Sequence, residues 1–72
     1  MSQRAQSIYK VRLPLDEIES VFAFLHKAAE GLNWLKDNSR EDRLLNVYMG
    51  RGQATFVLTD LQTALLMRLS LE

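Results

Sequence analysis

Seventy-two residues allow one domain with one small core. Nine basic and nine acidic residues cancel, which argues against a protein built chiefly to neutralise phosphates, and a 47% hydrophobic content argues against disorder. With no cysteine there is no disulfide, thiolate zinc site or thiol redox centre, and a lone His26 cannot supply a multi-histidine metal site. No cofactor is expected.

In chain order, residues 1–5 carry little to bury and are expected to be flexible, ahead of a single domain over residues 6–70. Residues 7–13 alternate. Tyr9, Val11 and Leu13 point one way, while Ile8, Lys10 and Arg12 point the other, which predicts a strand with one wet face. Pro14 ends it, because proline offers no amide proton to a ladder.

Residues 16–31 predict one amphipathic helix. Asp16 is the expected N-cap, with Glu17 and Glu19 near the positive end of the dipole and His26 and Lys27 near the negative end. Gly31 is the expected left-handed stop. Ile18, Val21, Phe22, Leu25 and Ala29 recur at three- and four-residue spacing and form the stripe expected to face a sheet. Phe24 falls off that stripe, and either widens the core edge or touches another chain.

Residues 33–36 predict a short strand, 37–42 a polar loop and 43–49 another strand. In the last of these, Leu45, Val47 and Met49 share one face, with Leu44, Asn46 and Tyr48 on the other. Residues 50–53, with two glycines, predict a turn, and 54–59 a further strand. Asp60 caps a short C-terminal helix. Residues 71–72 read as the start of a purification-tag linker.

The expected fold class is α+β: a three- or four-stranded mixed or antiparallel sheet, with one long helix and a short C-terminal helix on one face. The expected core is Tyr9, Val11, Leu13, Ile18, Phe22, Leu25, Val47 and Phe56. The first helix leading back to a strand suggests a crossover that makes two strands parallel. The element order approximates a ferredoxin-like or ACT-like domain without its last strand.

The run Ile-Tyr-Lys-Val-Arg-Leu-Pro from Ile8, then Asp16-Glu17-Ile18, Phe24-Leu25 and Glu30-Gly31-Leu32, resembles a small bacterial family of unknown function. The resemblance covers about a third of the chain. It implies a strand, a helix closing on Glu-Gly-Leu and further strands, and it implies no functional residues.

The C-terminal helix has more apolar residues than one buried stripe needs, so Leu66, Met67 and Leu69, with Phe24, are candidate interface residues for a second subunit. Arg40, Arg43 and Arg51, with Trp34 and Tyr48, are candidate anion or nucleic-acid contacts, although Asp37, Glu41 and Asp42 cancel much of their field. Neither a nucleophile–base pair nor a phosphate-loop fingerprint is present. The longest apolar run, residues 21–25, is far shorter than the ~20 residues that span a bilayer, and residues 1–7 are polar. The sequence therefore suggests a cytoplasmic, non-catalytic interaction or regulatory domain that pairs with itself or docks on a partner protein. A small-molecule sensor of ACT-like type is the alternative, ahead of RNA or single-stranded DNA binding.

Overall fold

A computed structural model describes residues 7–16 and 20–72. Within them the chain forms β1 (Tyr9–Pro14), α1 (Val21–Asp37), a 3₁₀ turn (Glu41–Arg43), β2 (Leu44–Gly50), β3 (Gln53–Leu58) and α2 (Leu61–Leu71). The fold is α+β, with an antiparallel sheet of order β1-β3-β2. Since β3 is antiparallel to both neighbours, β1 and β2 run in the same direction but are not adjacent. The helix returns the chain to a parallel strand, as expected, and β3 fills the gap between.

The central strand carries the core. Val11 and Leu13 of β1 lie opposite Phe56 and Ala54, and with Leu15, Leu58, Leu35, Ala64 and Met67 they make one buried cluster. Tyr9 and Val47 pack against its margin. Phe22 and Leu25, expected inside, are exposed. Ile18 lies outside the described residues, as do residues 1–6, Glu17 and Glu19.

The reason is that α1 is placed differently from the sequence expectation. Ser20, not Asp16, is its N-cap: the Ser20 hydroxyl accepts the Ala23 amide at 3.2 Å. Gly31 does not stop the helix, which runs on through residues 33–36 to Asp37 and so replaces the short strand expected there. Gly31 is buried against Phe56, and any Cβ at Gly31 would sit inside the van der Waals radius of that ring. The inward face is therefore Phe24, Ala28, Gly31 and Leu35, and the missing side chain at Gly31 lets the helix approach Phe56 of β3 closely.

The hairpin between β2 and β3 turns at Arg51 and Gly52, both with positive φ (53° and 74°), as a two-residue turn of primed type requires. At the other end of β2 the register shifts between Leu44 and Asn46, leaving Leu45 as the extra residue. That bulge reverses the expected parity. Leu44 joins Val47 and Met49 opposite the helix-side residues of β3, and Leu45 is exposed. Asp60 caps α2 as expected, accepting the Thr63 amide at 3.1 Å. Leu71, set aside above as linker, completes α2 and packs on the core. Among the described residues no helix is long and apolar enough to cross a membrane.

Candidate interaction surfaces

Both helices lie on one side of the sheet, each with a second apolar flank beside its buried one. On α1, Val21 (57% exposed), Phe22 (83%), Leu25 (53%) and Leu32 (40%) follow one another around the cylinder at ~100° per residue. Ala29 falls in the same sector and is also exposed. Sequence periodicity assigns Val21, Phe22, Leu25 and Ala29 of this flank to the core; the helix carries two apolar stripes, and the other, with Ala28, Gly31 and Leu35, is the buried one. Phe24 is partly buried and packs against the core, which fits its reading as a widened core edge.

On α2, Thr63, Ala64 and Met67 are buried, while Leu61, Leu65, Leu66 and Leu69 are exposed. Met67 is fully enclosed in the core and is not a surface residue. Leu66 and Leu69 do face solvent, as an interface role requires.

The structure separates the expected cationic–aromatic group. Trp34 is on α1 and packs against the core, on the helix-covered side of the sheet. Arg40 is engaged: its Nη1 donates to Thr63 Oγ1 at 2.8 Å and to Asp60 Oδ2 at 3.3 Å. The Thr63 hydroxyl in turn donates to Asp60 Oδ2 at 2.6 Å. These bonds tie the loop after α1 to the start of α2. The Thr63 hydroxyl holds the Asp60 carboxyl below the ordinary carboxylate value; burial pushes the other way, and the Thr63 amide, Arg43 and Arg40 add to the lowering. Arg43 stands 3.9 Å from Asp42, and its carbonyl accepts the Thr59 amide at 2.9 Å.

Tyr48 and Arg51 remain together. They line a shallow groove of about 250 Å³ on the uncovered face of the sheet, with Arg12, Gln53 and Thr55. A second groove, of about 350 Å³, lies between the outer edge of β1 and α2, lined by Lys10, Arg12 and Arg68 and by Leu61, Ala64 and Leu65. Sequence reasoning missed this groove, because it depends on β1 lying at the edge of the sheet, which follows from the strand order. Among the described residues no cluster of three or more metal-ligating side chains occurs.

No protein-family model matches the chain, and neither a curated protein nor a solved structure is similar enough to it to count as a match.

Proposed function

We propose that this chain is a non-catalytic interaction or regulatory domain that acts as a homodimer through the outer flank of α1. The observation that supports it is the stripe of Val21, Phe22, Leu25 and Leu32, which the chain's own core does not use. Burying Phe22 alone would withdraw about 150–200 Å² from water. The four side chains together offer on the order of 400 Å², within the range of the largest apolar patch on a monomer, which is often functional. Doubled across a two-fold axis this is a small interface, which favours a concentration-dependent dimer over an obligate one. Both Phe22 and Leu25 are exposed, so replacing them leaves the core intact.

Sedimentation equilibrium tests the reading. The apparent mass should rise from 8.3 kDa towards twice that value at high micromolar concentration, and Phe22→Asp and Leu25→Asp should each hold the protein monomeric. A wild-type protein that stays strictly monomeric refutes it.

A second reading, a small-molecule sensor, draws support from the open-face groove, where Arg12 and Arg51 flank Tyr48. Two guanidinium groups suit a ligand carrying a carboxylate. A ligand at 100 times its dissociation constant adds ~2.7 kcal/mol, so a thermal-shift panel of amino acids with no response removes this reading. Nucleic-acid stacking has weaker support, because Trp34 and Tyr48 do not share a surface.

A further inference from the structure

Among the described residues no strand pairs with the outer edge of β1, and the register fixes which of its backbone groups face outward. The β1–β3 register sets Tyr9, Val11 and Leu13 opposite Leu58, Phe56 and Ala54. It continues to Leu15, whose amide donates to the Gly52 carbonyl at 2.9 Å. Bonded pairs alternate along an antiparallel ladder, so Tyr9, Val11 and Leu13 bond inward to β3. The amides and carbonyls of Lys10 and Arg12 then point outward. Two observations agree. Arg68 Nη2 donates to the Lys10 carbonyl from the α2 side, across 3.4 Å. Pro14, which has no amide proton, occupies the next outward position.

Beside this edge lies the 350 Å³ groove, roofed by Leu61, Ala64 and Leu65. Its described charged residues are Lys10, Arg12 and Arg68, all cationic, in a chain of zero formal net charge. The edge of the sheet thus offers a slot for a further strand, with Leu61, Ala64 and Leu65 of α2 along one side, Arg68 reaching in from the same helix, and Lys10 and Arg12 beside Ile8 towards the open face.

We propose that this slot receives an extended acidic segment of a partner protein by strand addition to β1. Side chains alternate between the faces of a strand. The occupant therefore presents acidic residues beside Lys10 and Arg12, and apolar residues beneath Leu61 and Leu65. Main-chain bonds to the Lys10 amide and to Arg12 give affinity, the Lys10 carbonyl accepting from the occupant beside or in place of Arg68 Nη2, and the alternation gives specificity. A second copy fits the slot less well. Two-fold pairing of β1 with itself would set Lys10 against Lys10 or Arg12 of the other copy, and like charges directly opposite are destabilising. The proposal deepens the reading of the chain as an interaction module, yet uses a different face from α1.

The test uses a fluorescein-labelled peptide of alternating valine and glutamate, seven residues long, added to the whole chain carrying Phe22→Asp. That background removes the α1 contact, so a failure of dimerisation cannot be mistaken for a failure here. Fluorescence polarisation should rise with protein concentration, and the backbone amide resonances of Lys10 and Arg12 should shift. Replacing glutamate by lysine in the peptide should weaken binding at least tenfold. Arg12→Glu, at an exposed position that leaves the fold intact, should do the same. Methylating alternate peptide amides on the pairing edge should abolish binding. No polarisation change up to millimolar protein, equal binding of the lysine peptide, or shifts that miss β1 would overturn the proposal. So would protection of the Lys10 and Arg12 amides from exchange that grows with protein concentration without peptide, since a second copy would then fill the slot.

Discussion

Gly31→Ala is the sharpest probe of how α1 meets the sheet. The added methyl would overlap the Phe56 Cζ and Cε2 atoms, and Phe56 is fully buried between Val11 and Val47 on the flanking strands. The ring cannot step aside, so α1 must lift or Phe56 must leave its rotamer. Overpacking of this kind costs about 1–3 kcal/mol. Alanine in a helix interior returns ~1 kcal/mol relative to glycine, so the net loss is about 0–2 kcal/mol. A domain of this size holds only ~4–10 kcal/mol, and each kilocalorie moves the melting midpoint by ~4–8 °C. Urea denaturation followed by circular dichroism measures the difference. In a Phe56→Leu background, which removes the ring, Gly31→Ala should become neutral or stabilising. A Gly31→Ala protein more stable than wild type would show that Phe56 does not lie beneath this turn, and would refute the packing.

Three further outcomes follow from the same contacts. Ser20→Ala should cost ~1 kcal/mol through loss of the α1 cap, while Asp16→Ala should change stability by less than about 0.5 kcal/mol; denaturant midpoints separate the two. Met67→Ala should cost about 2–5 kcal/mol, because its side chain is enclosed, and Leu69→Ala, 83% exposed, should cost almost nothing in the monomer. Asp60 has a lowered carboxyl pKa, so its contribution to stability is present above the ordinary carboxylate value and is lost as pH falls through the folded value. Removing the hydroxyl with Thr63→Val should move the Asp60 carboxyl titration upwards, read by carbon NMR, and an unmoved titration would contradict the assigned hydrogen bonds.

The strands and the second helix were legible because local signals agree there. The alternation at Tyr9, Val11 and Leu13 and the paired turn glycines each point one way, as does the Asp60 cap. The first helix was read in the wrong place because local signals compete. Asp16 and Ser20 are both acceptable caps, and only the latter is used. Gly31 looks like a stop when read alone, whereas its actual role is to make room for a ring 25 residues further on. A hydrophobicity pattern favours large residues, so it placed Phe22 and Leu25 in the core rather than the buried Ala28 and Gly31. The Leu45 bulge was invisible for a related reason, since one inserted residue exchanges the two faces of a strand. Of the candidate surfaces, Tyr48 with Arg51 could be read from the hairpin. The pairing of Arg40 with Asp60 spans 20 residues and could not. The groove beside β1 depends on strand order, which composition and periodicity do not encode.

The proposed dimer joins two copies of the chain through the outer flank of α1. Isotope-filtered NOE spectroscopy on an equimolar mixture of labelled and unlabelled protein, at high micromolar concentration, tests it most directly. Intermolecular contacts among the side chains of Val21, Phe22, Leu25 and Leu32 are the predicted result. Intermolecular contacts confined to other surfaces, or none at all, would contradict it.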